Sequence, residues 1–444
     1  MRIRIVIVMM ILAFALQTGY AREYDLDGFI AAVRRNSKAL RLASRELDNA
    51  REQKREARAG ALPRVGVEAG YTRNLSDYYM YFDLSSLMGG PPMVSQVPFK
   101  RDNEFSAMIG LDQTLFSATV LYAVKASRQY QALVDQVFRA NERALVNGAR
   151  KLFFQAILLD RVVEVARNSE ENALAGYRDV KQKYEQGQVS EFELLRAETR
   201  WRAAIPETRQ AERNLDLLKN NLKKLAGIQQ QEPLKLNGTL DAVPALPQKV
   251  TLEQALSARP DFQALLKQEK LAETGIQAVR GSYFPVVKGR AAFAYSAQSD
   301  AFRLEEENRL WLVGIQLSVP LYTGGYRRAQ VNKAKIEREK VRIRIEQMRD
   351  DLDTELSDLF LKLDEAWQRM HSARSTLKVA EKAFMIAEAT TRNGLTTQLD
   401  LKDARAAMDQ ALLGFYKAGY DYLEACFDWE YAVGKPMHAS STSR

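Results

Sequence analysis

Few residues in this chain are candidates for catalysis or for ligand binding. The stretch NGLTTQLDLKDA, residues 393–404, sets two carboxylates, Asp400 and Asp403, three positions apart, which places them on one face if the stretch is helical. The chain has only two histidines and one cysteine, Cys426, with no second ligand or nucleophile motif beside them. We therefore expect an inert, buried thiol, no enzymatic activity, no cofactor and no metal site.

Asp400 has a structural explanation, because Thr397 precedes it by three residues. In the first half of the chain, Ser190 precedes Glu193 in the same way. A hydroxyl followed three residues later by an acid is the pattern of a capping box or a close variant of it, and an acid in the first turn complements the helix dipole. We predict that Ser190, Glu193 and Thr397 cap helices that restart after a turn.

Asp403 lacks this explanation. It lies beyond the first turn, and its counterpart in the first half is Arg196. From spacing alone Asp403 is a solvated surface residue, since charged pairs three residues apart are common on wet helix faces.

An internal repeat organises the chain. The stretch YEQGQVSEFELLRA, residues 184–197, matches TRNGLTTQLDLKDA, residues 391–404, and Gly187 and Gly394 are 207 positions apart. The sequence predicts a signal peptide at 1–21, a first repeat at 22–226, a linker at 227–250, a second repeat at 251–434 and a C-terminal tail at 435–444.

The first residues are typical of a secretory signal peptide. Arg2 and Arg4 precede an apolar run of twelve residues, and small residues lead to an expected cleavage after Ala21. A transmembrane anchor would need roughly 18 or more apolar residues. No comparable run follows, so the mature chain can cross a bilayer only as strands.

Four runs alternate between apolar and polar residues with a period of two, which favours strands. They lie at about 65–74, 104–113, 286–296 and 309–319. Each has the roughly 9–11 residues of a tilted transmembrane strand, although a soluble antiparallel sheet with one wet face fits each run equally well.

Very long helices follow each pair of strands, at about 117–185 and 326–391. In the second, apolar residues recur every three or four positions from Ile345 to Ala387, which indicates a coiled-coil seam. At 1.5 Å per residue such a helix is a rod on the order of 100 Å long. A second helix folds back after each glycine turn, at about 190–226 and 396–432.

Shorter helices are predicted before each strand pair, at about 33–60 and 251–281, each ending at a proline. The stretch at about 75–103, with four aromatic residues between Tyr78 and Phe82, is predicted as an irregular loop between the first two strands.

Four transmembrane strands in one chain would leave two open edges, and unpaired backbone groups in lipid cost several kcal/mol each. The pattern therefore predicts a homo-oligomer in contact with membrane lipid. The net charge of +9 is spread among interleaved acids and bases, which indicates solvated helix faces rather than a nucleic-acid surface.

The chain closely resembles the TolC family of outer-membrane efflux proteins over essentially its whole mature length. The resemblance rests on the signal peptide, the doubled order of elements, PLYTGG opening a long helix, and YEQGQVSEFELLRAE. It implies a mostly α fold with a small transmembrane β part: a trimer with a twelve-stranded barrel in the outer membrane of a Gram-negative bacterium and a long α-helical tunnel in the periplasm.

The resemblance also implies a passive exit duct that performs no chemistry. It implies docking to a periplasmic adaptor protein and an inner-membrane pump such as a resistance-nodulation-division transporter. We expect small-molecule efflux, with type I protein secretion as the alternative. A soluble periplasmic coiled-coil scaffold explains the helices but leaves the four strands without a role.

Site residues follow from the resemblance as well. Asp400 and Asp403 are expected to form an acidic ring at the closed periplasmic constriction, where like charges attract cations. The turns at Gly187 and Gly394 are expected to contact the adaptor. Where some relatives carry a Tyr and an Arg that latch the tip, this chain has Thr391 and Thr396, so a latch would use other residues, such as Arg392 or Tyr184.

Overall fold

The computed structural model describes residues 22–83, 89, 94–98, 100–393 and 395–435. The predicted signal peptide, Gly394 and all but the first residue of the predicted C-terminal tail lie outside the described residues. Eight helices and eight strands occur within the described ranges. They are β1 (Arg22–Tyr24), α1 (Leu26–Asn36), α2 (Lys38–Ala59), β2 (Arg64–Arg73), β3 (Tyr79–Asp83), β4 (Val94–Pro98), β5 (Asn103–Phe116), α3 (Ala118–Glu185), α4 (Glu191–Ala226), β6 (Leu234–Leu236), α5 (Leu252–Ala258), α6 (Pro260–Arg280), β7 (Val286–Ser299), β8 (Asn308–Ser318), α7 (Tyr326–Arg392) and α8 (Gln398–Val433).

Two compact units divide the chain in space. One contains residues 48–134 and 265–343, and the other contains the rest. Each unit takes segments from both sequence repeats, because each repeat passes through both units.

A four-stranded antiparallel sheet, in the order β2-β5-β7-β8, dominates the first of these units. Arg64 pairs with Asp112 and Val286 with Ser318, so the four helices joined to these strands all attach at one end of the sheet. β2 and β8 fall within one residue of their predicted bounds, whereas β5 and β7 each run three residues further than predicted. The mostly helical class with a small β part is confirmed.

One face of this sheet carries bare apolar side chains. On the edge strand β8, Trp311, Val313 and Ile315 are each more than three-quarters exposed, and Val65 and Val67 on β2 are about two-thirds exposed. A soluble sheet buries its apolar face, and a contiguous exposed patch of this kind marks an interaction surface. No described helix is both long and apolar enough to span a bilayer.

Long helices dominate the other unit, and they pair as predicted. The predicted seam of α7 is buried at its centre, at Leu352, Leu356, Leu363, Ala366, Met370 and Leu377, and half-buried towards both ends. Trp367 packs on Tyr422 and Phe360 on Trp429, which sets α8 antiparallel to α7. Tyr177 stacks on Trp201 with ring centroids 5.4 Å apart, and this contact belongs to the matching pair of α3 and α4.

A hydrophobic core joins both repeats to the linker. Phe29 of α1 lies 5.6 Å from Phe153 of α3, ring centroid to centroid, and both side chains are fully buried. Leu222 of α4 and Phe427 of α8 belong to the same core, as does Leu234 of the linker strand β6. β6 pairs in parallel with β1, so the linker at 227–250 is an ordered part of this unit.

Two helices that were predicted as continuous are each interrupted in the structure. The helix predicted at 33–60 is interrupted at Ser37, and the one at 251–281 is interrupted at Arg259. Pro260 drives Arg259 into an extended conformation, and the Arg259 guanidinium then binds Asp261 and Glu355 in a nearly buried position. The break at Ser37 has a tertiary cause, because Asn36 donates a hydrogen bond to the last carbonyl of α4.

The stretch at 75–103 was wrongly predicted as irregular throughout. It contains a hairpin in which β3 and β4 pair antiparallel, with Tyr79 opposite Pro98. The residues between these two strands, apart from Gly89, lie outside the described residues.

Gly434 closes α8 in a conformation that other residues avoid. Its φ is +74°, and a Cβ atom there would meet the carbonyl carbon and oxygen of Ala258 at 2.8 Å. Arg143 donates hydrogen bonds to the carbonyl oxygens of both Ala258 and Gly434, at 3.0 and 2.8 Å. The close approach therefore holds the ends of α5 and α8 together.

We predict that Gly434→Ala lowers the free energy of unfolding by about 1–3 kcal/mol, because both the left-handed backbone and the contact with Ala258 oppose a methyl group. The matched control is Gly148→Ala inside α3, where a Cβ meets nothing within 4 Å. This change should be neutral or stabilise the protein by up to about 1 kcal/mol. The midpoint of thermal unfolding measures both, and equal midpoints for the two variants would contradict the prediction.

Candidate functional site

The start of α8 is held by a reciprocal cap. Thr397 has extended backbone angles, and its Oγ1 accepts a hydrogen bond from the Asp400 N–H at 3.2 Å. The Asp400 carboxylate in turn accepts hydrogen bonds from the Thr397 N–H at 3.1 Å and from its hydroxyl at 2.6 Å. Two backbone donors that the helix leaves unpaired are satisfied in this way.

The start of α4 has half of the same arrangement. Ser190 is the N-cap residue, and its Oγ accepts from the Glu193 N–H at 3.4 Å. The Glu193 carboxylate lies 3.9 Å from Arg196. Arg196, which occupies the position of Asp403 in the second repeat, therefore offsets the negative charge of Glu193.

The turns before these caps share a backbone hydrogen bond. Gly187 has a φ of +72°, and the Gln188 N–H donates to the Lys183 carbonyl at 2.9 Å. In the second repeat, 207 positions later, the Leu395 N–H donates to the Thr390 carbonyl at 2.9 Å. The two turns therefore close in the same way.

The two aspartates of the second repeat differ in their contacts. Hydrogen bonds from Thr397 hold the pKa of the Asp400 carboxyl below its ordinary value. Asp403 is exposed and has no hydrogen bond or ion pair within the described part of the chain. The three-residue spacing puts both on one face of α8, where each adds a negative charge.

Two of the four residues considered for a latch, Thr396 and Arg392, are engaged within their own hairpin. Thr396 donates to the Thr390 hydroxyl at 2.6 Å, and Arg392 pairs with Glu388 one turn earlier at 2.7 Å. The Thr391 hydroxyl is buried without a hydrogen-bond partner. Tyr184, beside the first turn, is 39% exposed.

Exposed apolar side chains flank both turns, and they were not among the site residues predicted from the sequence. Phe192 and Leu195 lie in the first turns of α4, and Leu395 and Leu399 lie at the second turn and the start of α8. All four are at least half exposed, with Leu395 at 78%. Their position outside the buried seam was the signal that could have identified them as a surface for another protein.

The single cysteine is buried, and the described histidine lies against an aromatic ring. Burial raises the pKa of the Cys426 thiol to about 12. His371 packs edge-on against Trp367, with ring centroids 4.3 Å apart. The described residues contain no group of three or more acidic, histidine or cysteine side chains arranged to hold a metal ion.

Comparison with protein families gives one match to each repeat. The model of the outer membrane efflux protein family matches residues 29–228 and 251–428.

Individual relatives are distant but extend over most of the chain. The alkaline protease secretion protein AprF of Pseudomonas aeruginosa is 22% identical over 407 residues, which cover 90% of this chain and 82% of AprF. The outer membrane protein TolC of Salmonella enteritidis is 22% identical over 416 residues, covering 90% of this chain and 80% of TolC. The outer membrane channel CmeC of Campylobacter jejuni superposes with a TM-score of 0.74 at 16% identity, covering 94% of this chain and 87% of CmeC, which shows a shared fold.

We predict that Asp400→Ala speeds amide hydrogen exchange in the first turn of α8, because the cap loses its carboxylate acceptor. Asp403→Ala, three residues further on, removes the same charge without touching the cap and should leave exchange unchanged. The measurement is hydrogen exchange of peptides from the start of α8, read by mass spectrometry. Equal exchange in the two variants would show that Asp400 does not cap the helix.

The same cap should depend on pH. Because the folded pKa of Asp400 is depressed, its stabilisation is present above the unfolded pKa of about 3.9 and is lost as the pH falls through the folded pKa. After correction for intrinsic rates, exchange in the wild-type turn should rise between about pH 6 and about pH 3. Asp400→Ala should exchange quickly at both pH values.

Proposed function

The chain belongs to the outer membrane efflux protein family, and we propose that three copies form the passive exit duct of a tripartite export system in a Gram-negative outer membrane. A periplasmic adaptor and an inner-membrane pump, such as a resistance-nodulation-division transporter, would complete the system. The observation that carries the proposal is the sheet of membrane-length strands with a bare apolar face and two open edges.

The open edges support oligomerisation in particular. β2 and β8 each pair on one side only in the described sheet. In lipid, every unpaired backbone N–H and C=O costs several kcal/mol, so the edge of one copy must pair with the edge of another. About eight strands make a barrel filled by its own side chains, whereas twelve strands from three copies begin to leave a lumen.

The turns supply the surfaces for the periplasmic partners. We infer that the turns at Gly187 and Gly394, with the exposed Phe192 and Leu399 beside them, contact the adaptor. Three copies would bring six carboxylates, from Asp400 and Asp403, around one opening. Such a ring would attract cations and resist anions, which is how rings of acidic side chains select ions in pores.

The exported substrate is either a small molecule or a protein, which gives two versions of the proposal. We favour small-molecule efflux. Protein secretion is the second candidate, and the likeness to a protease secretion protein over 90% of the chain favours it. Deletion of the gene distinguishes them, since one version predicts sensitivity to toxic small molecules and the other the loss of a secreted protein.

Extraction behaviour tests the membrane role. We expect the mature chain to leave the membrane fraction only with detergent, and to run on unheated denaturing gels as a trimer that dissociates on heating. The physical reason is the apolar sheet face, which only lipid or detergent can cover. Recovery as a monomer in plain buffer would favour a soluble periplasmic scaffold.

Ion conductance tests the acidic ring. We predict that Asp400→Asn combined with Asp403→Asn lowers the cation selectivity of single channels in planar bilayers by about twofold or more and weakens block by multivalent cations. The control variant, Asp351→Asn with Asp353→Asn on α7, removes the same charge from exposed positions away from the turn. Unchanged selectivity and block in the first variant would refute the ring.

A further inference from the structure

An amphipathic groove lies beside the end of the sheet to which the helices attach. We call it the basic trough. Its volume is about 650 Å³, and it lies between the end of α2 and the start of α3. Its lining residues are Arg58, Ala61, Leu62, Val120, Leu121, Val124, Lys125 and Arg128.

The trough combines bare apolar surface with unpaired cations. Leu62 and Leu121 are about 60% exposed. Arg58, Lys125 and Arg128 are all exposed, and none has a hydrogen bond, ion pair or aromatic partner in the described ranges. No acidic side chain is among the described residues that line the groove, so its charge complements an anion with an apolar body.

The trough lies where two helices join the strands of the four-stranded sheet. Leu62 precedes β2 by two residues, and Leu121 follows Phe116, the last residue of β5, by five. Around the same end of the sheet, Tyr283, Phe284 and Tyr322 are each about half exposed or more. Exposed aromatic residues at the ends of membrane strands mark the level of lipid headgroups.

We propose that the basic trough binds an anionic phospholipid of the periplasm-facing leaflet of the outer membrane, an inference that rests on the proposed membrane role. The headgroup phosphate lies among Arg58, Lys125 and Arg128, and the start of an acyl chain covers Leu62 and Leu121. Basic residues near a membrane surface attract anionic lipid, and exposed leucines gain from contact with acyl chains.

Lipid binding to the purified full-length chain in detergent tests the site. Native mass spectrometry would count bound phosphatidylglycerol for the wild type and for the triple variant R58Q/K125Q/R128Q. The matched control is R200Q/R213Q/K382Q, which removes two arginines and one lysine that are exposed on α4 and α7. We expect the first variant to bind phosphatidylglycerol about tenfold more weakly than wild type or control.

The same assay tests whether binding needs an anionic headgroup and whether the ligand is a lipid or a soluble anion. Phosphatidylcholine, which carries no net charge, should bind weakly and equally to all three proteins, and free glycerol phosphate should not displace bound phosphatidylglycerol. Equal phosphatidylglycerol binding by the triple variant and the control overturns the proposal. So does displacement by glycerol phosphate, which would assign the trough to a soluble anion.

Two further readouts separate this proposal from others. If the triple variant changes the oligomer without changing lipid binding, the trough belongs to a contact between copies and the lipid site is overturned. The single variants R58Q, K125Q and R128Q should each show an intermediate loss, which excludes misfolding of the triple variant as the cause. If the protein conducts ions but does not prefer phosphatidylglycerol, only the lipid site is overturned. If the protein needs no detergent, the membrane role is overturned as well.

Discussion

The outer strands of the four-stranded sheet, β2 and β8, each present a row of backbone N–H and C=O groups that no other described strand pairs. Water would satisfy these groups at little cost, but lipid cannot. The exposed face beside them is apolar, with Trp311 and Val313 largely bare, so it favours lipid. These two requirements are compatible only if several copies share one closed sheet. The proposed oligomer would therefore follow from backbone chemistry, and it would carry with it the helices attached at one end of the sheet.

The repeat lets one chain supply two hairpins whose turns share one backbone hydrogen bond and whose charges differ. Both turns close through hydrogen bonds at matching positions, from Gln188 to Lys183 and from Leu395 to Thr390. Beyond the turns the repeats diverge, because the first places Arg196 near Glu193 and the second places an unpaired Asp403 after the Thr397 cap. The two repeats therefore share the turn hydrogen bond and the cap position while their side-chain charges differ.

Sequence patterns predicted the elements whose signal is local. Period two located the four strands of the four-stranded sheet, and spacings of three and four located the long helices. The interruptions at Ser37 and Arg259 were missed for different reasons. Pro260 was visible in the sequence and should have ended the helix, whereas Ser37 is fixed by Asn36 contacting the end of α4, about 190 positions away. The parallel pair of β1 and β6 has three residues in each strand, too few for any periodicity to show.

The candidate site was predicted unevenly for a similar reason. The cap of Thr397 and Asp400 spans four consecutive residues and is readable from their types, as the hydrogen bonds between them show. The basic trough draws its cations from α2 and α3, which the four strands β2 to β5 separate in sequence, so no linear motif marks it.

Asp403 lies between these two cases. The described residues give it no hydrogen bond and no ion pair, so no contact within one chain accounts for an acid there. A carboxylate without a local structural role remains a solvated charge in the monomer, and only the approach of the same residue from other copies would raise its electrostatic cost. The proposed acidic opening therefore depends on the proposed assembly, in which the open edges of β2 and β8 would pair with those of other copies.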